Sequence, residues 1–210
     1  MMKWINAALS ILFPPRCAIC RKESEEVLCL TCLDQIKFSE KSTPFCSVAE
    51  YEGTLRAAIK KFKFKGKKKL AQALGNLLID YLNLPLSEIN MGKIDMLVPV
   101  PLHIKRLKKR GFNQAALLAQ VISKYYGVPL AENILVRSKN TKPQFDLKKH
   151  ERHENIKNAF SVRTPDQIKV KRLLLLDDIY TTGSTIIECL KVLKDAGAKR
   201  VKVLTLSRAV

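Results

Sequence analysis

Two adjacent carboxylates, Asp177 and Asp178, followed closely by Thr181, Thr182, Gly183, Ser184 and Thr185, are the residues of this chain whose types and spacing point most directly to chemistry. Carboxylates repel phosphate, but they accept hydrogen bonds from sugar hydroxyls or hold a divalent cation. Hydroxyls grouped around a glycine just ahead of a helix offer side-chain and backbone donors to an anion. A ligand with a ribose at one end and a phosphate at the other suits both halves. A plain Ser/Thr helix cap accounts for the hydroxyls but not for the acid pair.

A second constellation precedes a helix start. Lys105, Arg106, Lys108, Lys109 and Arg110 lead through Gly111 to Asn113, a good N-cap residue. Read as a loop, this segment delivers cations beside a helix N-terminus, which suits a pyrophosphate; Lys105, Arg106 and Arg110 are the residues expected to face it, and arginine can do so bidentately. Arg56 to Lys69 is also strongly basic, with eight cations and no acid. Its Lys60, Lys61, Lys63, Lys65, Lys67 and Lys68 are candidate phosphate contacts for single-stranded nucleic acid, and Phe62 and Phe64 could stack bases. Leu55, Ile59 and Phe62 recur at helical spacing, however, so core packing is the competing role of Phe62.

Cys17, Cys20, Cys29 and Cys32 have the spacing C-x2-C-x8-C-x2-C, two knuckles that match one tetrahedral structural zinc. Disulfides compete with this reading but are disfavoured in a chain without an export signal. Cys46 has no paired cysteine. Cys189 shares a helical face with Ile186, Leu190 and Leu193 and reads as core.

The elements that position these groups follow from periodicity. Leu173 to Leu176 form a continuous apolar run, as in a parallel strand buried on both faces, and the acids fall at its carboxyl end, where open α/β sheets bind ligands. Further strands are expected over 94–100, 134–136, 159–162 and 201–206. Helices are expected over 70–82 and 113–126 and after the Thr181–Thr185 loop, with a polar loop over 138–158. Strands alternating with helices imply a parallel sheet covered on both faces. Residues 1–13 read as a short amphipathic helix rather than a signal peptide, and no apolar run nears the ~18 residues needed to span a bilayer. The net charge of +19, from 38 basic and 19 acidic residues, implies attraction to polyanions. His103, His150 and His153 read as surface residues in basic loops.

The segment from Leu173 to Thr185 resembles the signature of type I phosphoribosyltransferases. Taken with Val98-Pro99-Val100-Pro101, Arg110-Gly111-Phe112-Asn113-Gln114 and the N-terminal cysteine knuckles, it is similar to the ComF family, phosphoribosyltransferase-like proteins linked to DNA uptake. Tyr51-Glu52-Gly53, Arg137 with Thr141 and Gln144, and Arg152 with Asn155 and Ala159-Phe160 extend the resemblance over nearly the whole chain. It implies a zinc ribbon within residues 1–48 and a phosphoribosyltransferase-like domain over 49–210. By position, Asp177 and Asp178 would bind the ribose of phosphoribosyl pyrophosphate (PRPP), and Thr181, Thr182, Gly183, Ser184 and Thr185 its 5′-phosphate. Mg²⁺ would accompany PRPP, and 138–158 would form a hood. Many relatives carry a second CxxC pair where this chain has only Cys46, so one zinc is expected. The family implies a competence accessory protein in the cytoplasm or at the inner face of the membrane. Its implied partners are single-stranded DNA, a helicase-like translocase and a recombination mediator. The competing function is a nucleotide-metabolism transferase that moves ribose 5-phosphate from PRPP to a nitrogenous base, although no cluster marks a base pocket. A PRPP-sensing regulator would need a helix-turn-helix, and none is evident.

Overall fold

A computed structural model describes residues 14–39, 45–64, 66, 68–85, 87–141 and 154–209. The expected N-terminal helix over 1–13, Lys65, Lys67, His150, His153 and most of the expected hood lie outside these residues.

Four parallel strands form the main sheet: β1 (Cys46–Glu50), β2 (Met96–Pro99), β5 (Arg172–Tyr180) and β6 (Arg200–Arg208), in the order β1-β6-β5-β2. A parallel bridge between Leu97 and Leu130 extends the β2 edge. The leucine run explains why β5 is central. Leu174 and Leu176 enter one core, while Leu173 and Leu175 enter the other, all at most 1% exposed. Burying each such side chain contributes roughly 1.5–3 kcal/mol.

The first core packs the sheet against α2 (Gly53–Phe64), α3 (Leu70–Leu82) and α5 (Gln114–Tyr126), through residues such as Leu55, Phe62, Leu74, Leu78, Leu118 and Ile122. The second packs it against α6 (Ser184–Asp195), through Ile186, Cys189 and Leu193. Two short strands, β3 (Leu135–Arg137) and β4 (Phe160–Val162), cover the same side as an antiparallel pair separate from the main sheet. Each is only partly buried, unlike the central strands, so a one-sided antiparallel pairing suffices.

Two local expectations change. The basic segment before Gly111 is a helix, α4 (Ile104–Arg110), not a loop. Its residues are mostly good helix formers, its cationic last turn complements the helix dipole, and the His103 side chain caps its start by accepting from Lys105 N at 3.3 Å. His103 is therefore a buried cap rather than a surface group. Strand β5 also continues past the leucines through both acids. β6 pairs with it as far as Tyr180↔Arg208, whereas β2 pairing stops at Pro99↔Leu176.

The N-terminal ribbon joins the first core through Cys17, Leu28, Cys32 and Ile36. Its short helix α1 (Leu30–Asp34) carries Cys32, Thr54 donates to Gln35 at 2.9 Å, and Lys61 of α2 donates to the Ala18 carbonyl.

Helices α3 and α5 meet at Gly75, where an added Cβ would lie 2.7 Å from Val121 Cβ. Alanine ordinarily improves a helix interior by roughly 0.5–1 kcal/mol over glycine. Here Gly75→Ala is expected to destabilise by about 1–3 kcal/mol through overpacking. Adding Val121→Ala should recover most of that loss, as read by a denaturant double-mutant cycle; additive losses would show that the helices can move apart.

Candidate functional site

A cleft of about 600 Å³ opens where β2 leaves β5, floored by Val100, Pro101, Asp177, Asp178 and Ile179. Strand alternation places the two acids on opposite faces of the sheet. Asp178 follows Leu174 and Leu176 toward α2, where its Oδ1 lies 2.7 Å from Lys63 Nζ. Its Oδ2 is buried with no hydrogen-bond partner among the described residues. Asp177, half-buried on the other face, accepts from Asp178 N at 2.8 Å. Burial and the adjacent Asp178 charge push the Asp177 carboxyl upward, opposed by Lys63, the Asp178 N–H and Arg137.

Thr181, Gly183 and Thr185 line the cleft, while Thr182 and Ser184 share a hydroxyl hydrogen bond of 2.9 Å. Gly183 has φ of 78°, and an added Cβ would lie 2.9 Å from the Tyr180 ring. Both the left-handed backbone and the close ring require glycine there. Gly183 is itself the N-cap of α6 and has no side chain of its own to cap the first turn. The helix start therefore presents backbone N–H groups toward an anion site.

Among the described residues, five cations line the cleft against the two acids: Lys63, Arg106, Lys109, Arg110 and Arg137. Arg106, Lys109 and Arg110 share one face of α4 by their i, i+3, i+4 spacing. Lys105 lies exposed and outside this lining, whereas Lys109 lies in it. The difference follows from the segment being a helix, which selects one face, rather than a loop. Arg106 donates to the Thr141 carbonyl at 2.7 Å, and Arg110 donates to Gln114 Oε1. Burial pushes the guanidinium of Arg110 below its ordinary value and that of Arg137 down to about 10.

Arg137 had no role assigned from sequence beyond its place in the family resemblance. It reaches the cleft from β3, donates to Thr141 Oγ1, packs 5.3 Å over the Phe160 ring and keeps a buried Nε without a partner among the described residues. Only the β3–β4 pairing brings it here, so no local sequence signal marks it.

The described lysines of the basic segment do not form one stripe. On α2, Lys60 is exposed, Lys61 turns to the ribbon and Lys63 enters the cleft; Lys68, in the turn before α3, lies 5.5 Å over the Phe112 ring. A period of 3.6 scatters near-consecutive lysines around the helix. Phe62 is fully buried against Phe112, whereas Phe64 is 70% exposed at the cleft, with Arg110 5.4 Å from its ring centre.

Cys17, Cys20, Cys29 and Cys32 bring their sulfurs within 4.8 Å of one another. The 3.7 Å Cys17–Cys32 and 3.6 Å Cys20–Cys29 separations fit the edge of about 3.8 Å that a tetrahedron with 2.3 Å Zn–S bonds requires. Burial opposes a Cys17 thiolate, but the N–H groups of Cys29, Ile19 and Cys20 outweigh it and draw the thiol pKa down. The set is a closed structural zinc site, with no position left for water. Cys46 lies 4.0 Å from Glu88, and Cys189 is buried in α6, so the chain's six cysteines supply one four-thiolate set.

Residues 79–209 match the phosphoribosyl transferase domain family, and residues 8–51 match the double zinc ribbon domain family. The chain is 32% identical over 198 residues to Competence protein F of Haemophilus influenzae, covering 93% of this chain and 85% of that protein. It is 30% identical over 207 residues to the DNA utilization protein YhgH of Escherichia coli K12, covering 92% and 90%. Competence protein ComFC of Bacillus subtilis is 30% identical over 198 residues, covering 92% and 78%. Among solved structures, a glutamine PRPP amidotransferase from B. subtilis matches 64% of this chain and 25% of its own, at a TM-score of 0.43 and 19% identity. The chain belongs to the phosphoribosyltransferase family and, within it, to the ComF group that carries an N-terminal zinc ribbon.

Proposed function

We propose that this protein acts in the handling of DNA taken up by the cell, and that its cleft binds PRPP or a related ribose phosphate. The observation that carries the ligand reading is convergence: the acid pair, the start of α6 and four Arg or Lys side chains beyond Lys63 meet in one cleft. Asp178 Oδ2 would accept from a ribose hydroxyl. The Thr181–Thr185 loop would hold the 5′-phosphate, and Arg106, Lys109, Arg110 and Arg137 would face the pyrophosphate. Mg²⁺ on the pyrophosphate would disperse its charge. Of the acid pair's oxygens, Asp178 Oδ1 is already engaged by Lys63.

The DNA-handling part draws on the relatives named for competence and DNA utilization, and on the net charge of +19. It places single-stranded DNA, a helicase-like translocase and a recombination mediator as partners, in the cytoplasm or at the inner face of the membrane. Among the described residues, no helix is long and apolar enough to cross a membrane. A second reading is transfer of ribose 5-phosphate to a nitrogenous base, which displaces pyrophosphate at the anomeric carbon. Phe64 favours it, since its exposed ring at the cleft offers a stacking face.

Calorimetry with PRPP tests the cleft. Binding by the parent protein should weaken at least about tenfold in the Asp177→Asn/Asp178→Asn variant. No binding by the parent would remove the ligand reading. Single-stranded DNA binding should fall with salt at a log–log slope of about −0.7 per phosphate engaged. Salt-independent or absent binding would remove the DNA contact. Displacement of that DNA by PRPP would place both in one groove, and pyrophosphate release with an added base would establish the transferase.

A further inference from the structure

Lys63 is a cleft residue that the phosphoribosyltransferase segment does not supply. It lies on α2, before the matched residues 79–209, yet its ammonium meets the second acid of the pair. The contact is 2.7 Å long, between side chains only 15% and 4% exposed. It is thus a buried ion pair, not one of the weak exposed pairs. Packing fixes it from both sides. Phe62, the preceding residue on α2, is 0% exposed, while Leu174 and Leu176 anchor the Asp178 face of β5 in the same core. Only Oδ2 is left over, buried and without a partner among the described residues.

This arrangement has a consequence for metals. Mg²⁺ takes oxygen ligands at about 2.0–2.1 Å in near-ideal octahedral geometry. An ion on Asp178 Oδ1 would sit beside the ammonium, and Arg110 and Arg137 add further positive charge around the acids. A hydroxyl donor meets no such repulsion at Oδ2.

We propose that Lys63 is a built-in counter-cation of the acid pair, which closes Asp178 to divalent metals and leaves Oδ2 as an acceptor for a ribose hydroxyl. The hydroxyl part rests on the ribose-phosphate reading above; metal exclusion does not. A metal then enters this cleft only on a pyrophosphate-bearing ligand. Lys63 is a positioning residue, acting through Asp178, and it makes α2 part of the site rather than a scaffold beside it.

Mn²⁺ titration followed by electron paramagnetic resonance tests the exclusion without any sugar phosphate. It compares the parent protein, Asp178→Asn, Lys63→Met, Lys63→Arg and the Lys63→Met/Asp178→Asn double variant, each loaded with zinc. Lys63→Met should gain an Mn²⁺ site at least about tenfold tighter than any in the parent, and the double variant should lose it. Lys63→Arg, which keeps the charge, should behave as the parent does. Loss of helical charge or packing alone would not produce a metal site dependent on Asp178. Equal Mn²⁺ binding by the parent and Lys63→Met, or parent binding that Asp178→Asn abolishes, would overturn the proposal.

Ribose 5-phosphate, which lacks the pyrophosphate, supplies the second arm. Its affinity for the zinc-loaded parent should be the same without Mg²⁺, in chelator-free buffer cleared of divalent ions beforehand, and with Mg²⁺, within about twofold, whereas Lys63→Met should bind about tenfold more weakly without Mg²⁺ and recover in part with it. Parent affinity that needs Mg²⁺ would overturn the role of Lys63. Failure of the parent to bind in either buffer would instead remove the ribose-phosphate reading and the hydroxyl part with it, while the Mn²⁺ result decides metal exclusion separately.

Discussion

Replacing Cys32 by serine, or removing zinc with a chelator, is expected to unfold the N-terminal ribbon and to lower the stability of the whole chain. The four sulfurs form one cluster, and the ribbon has few other means of holding its shape: α1 is a single short helix of five residues. In small zinc modules, metal binding supplies about 10–16 kcal/mol of the folding free energy. Here the loss should not stay local. Cys17, Leu28, Cys32 and Ile36 pack in the same core as Val48, Leu55 and Phe62, so ribbon unfolding exposes the outer side of α2 and β1. A drop of more than about 10 °C in the main thermal transition is expected, together with release of one zinc per chain. Zinc release with that transition unmoved would show the ribbon to be energetically independent, and two zinc ions per chain would contradict the single site.

Asp177→Asn is expected to stabilise the free protein at pH 8 while weakening its ligand binding. Burial first, and the Asp178 charge next, raise the Asp177 pKa from an ordinary value of about 4 to about 7. The folded protein then binds more protons than the unfolded chain between these values. Stability contributed at this position is therefore greatest below pH 4 and is lost as pH rises toward 7. Asparagine keeps the shape without the charge, so the gain over the parent should grow across that window and level off above it. A Tm increase of about 2–6 °C at pH 8, absent at pH 4, is the expected result in paired thermal melts. A pH-independent difference would mean that the carboxyl titrates normally. A site residue that destabilises the empty fold is what a binding role selects, since the ligand's hydroxyls would compensate the buried charge when bound.

Lys63 and Arg137 show why part of the site was hidden from the sequence. The acid pair and the hydroxyl loop are contiguous, so their chemistry and spacing were legible together. So was the zinc set, whose two CxxC knuckles need only a short turn between them. In sequence Lys63 is one of several equivalent lysines, and Arg137 stands out only through the family resemblance. Neither residue type nor spacing separates them from their neighbours; their position does, and that position depends on contacts far apart in the chain. The basic segment before Gly111 departs from the expected loop for a related reason: as helix α4, its i, i+3, i+4 spacing turns Arg106, Lys109 and Arg110 to the cleft and Lys105 away from it.

By itself, the sequence determined the buried parallel strand from its leucine run, the helices from their apolar periodicity, the tetrathiolate set, and the location of the acids and hydroxyl loop at a strand's carboxyl end. These are all consequences of local pattern, in which side-chain direction follows from a period of 2 or 3.6. Only the tertiary structure decided which cations share the cleft, that Asp177 and Asp178 face opposite sides of the sheet in different electrostatic surroundings, and that a lysine from α2 sits on Asp178. The physical reason is that charge interactions fall off over a few ångströms and depend on desolvation, and both are set by which distant segments the core brings together.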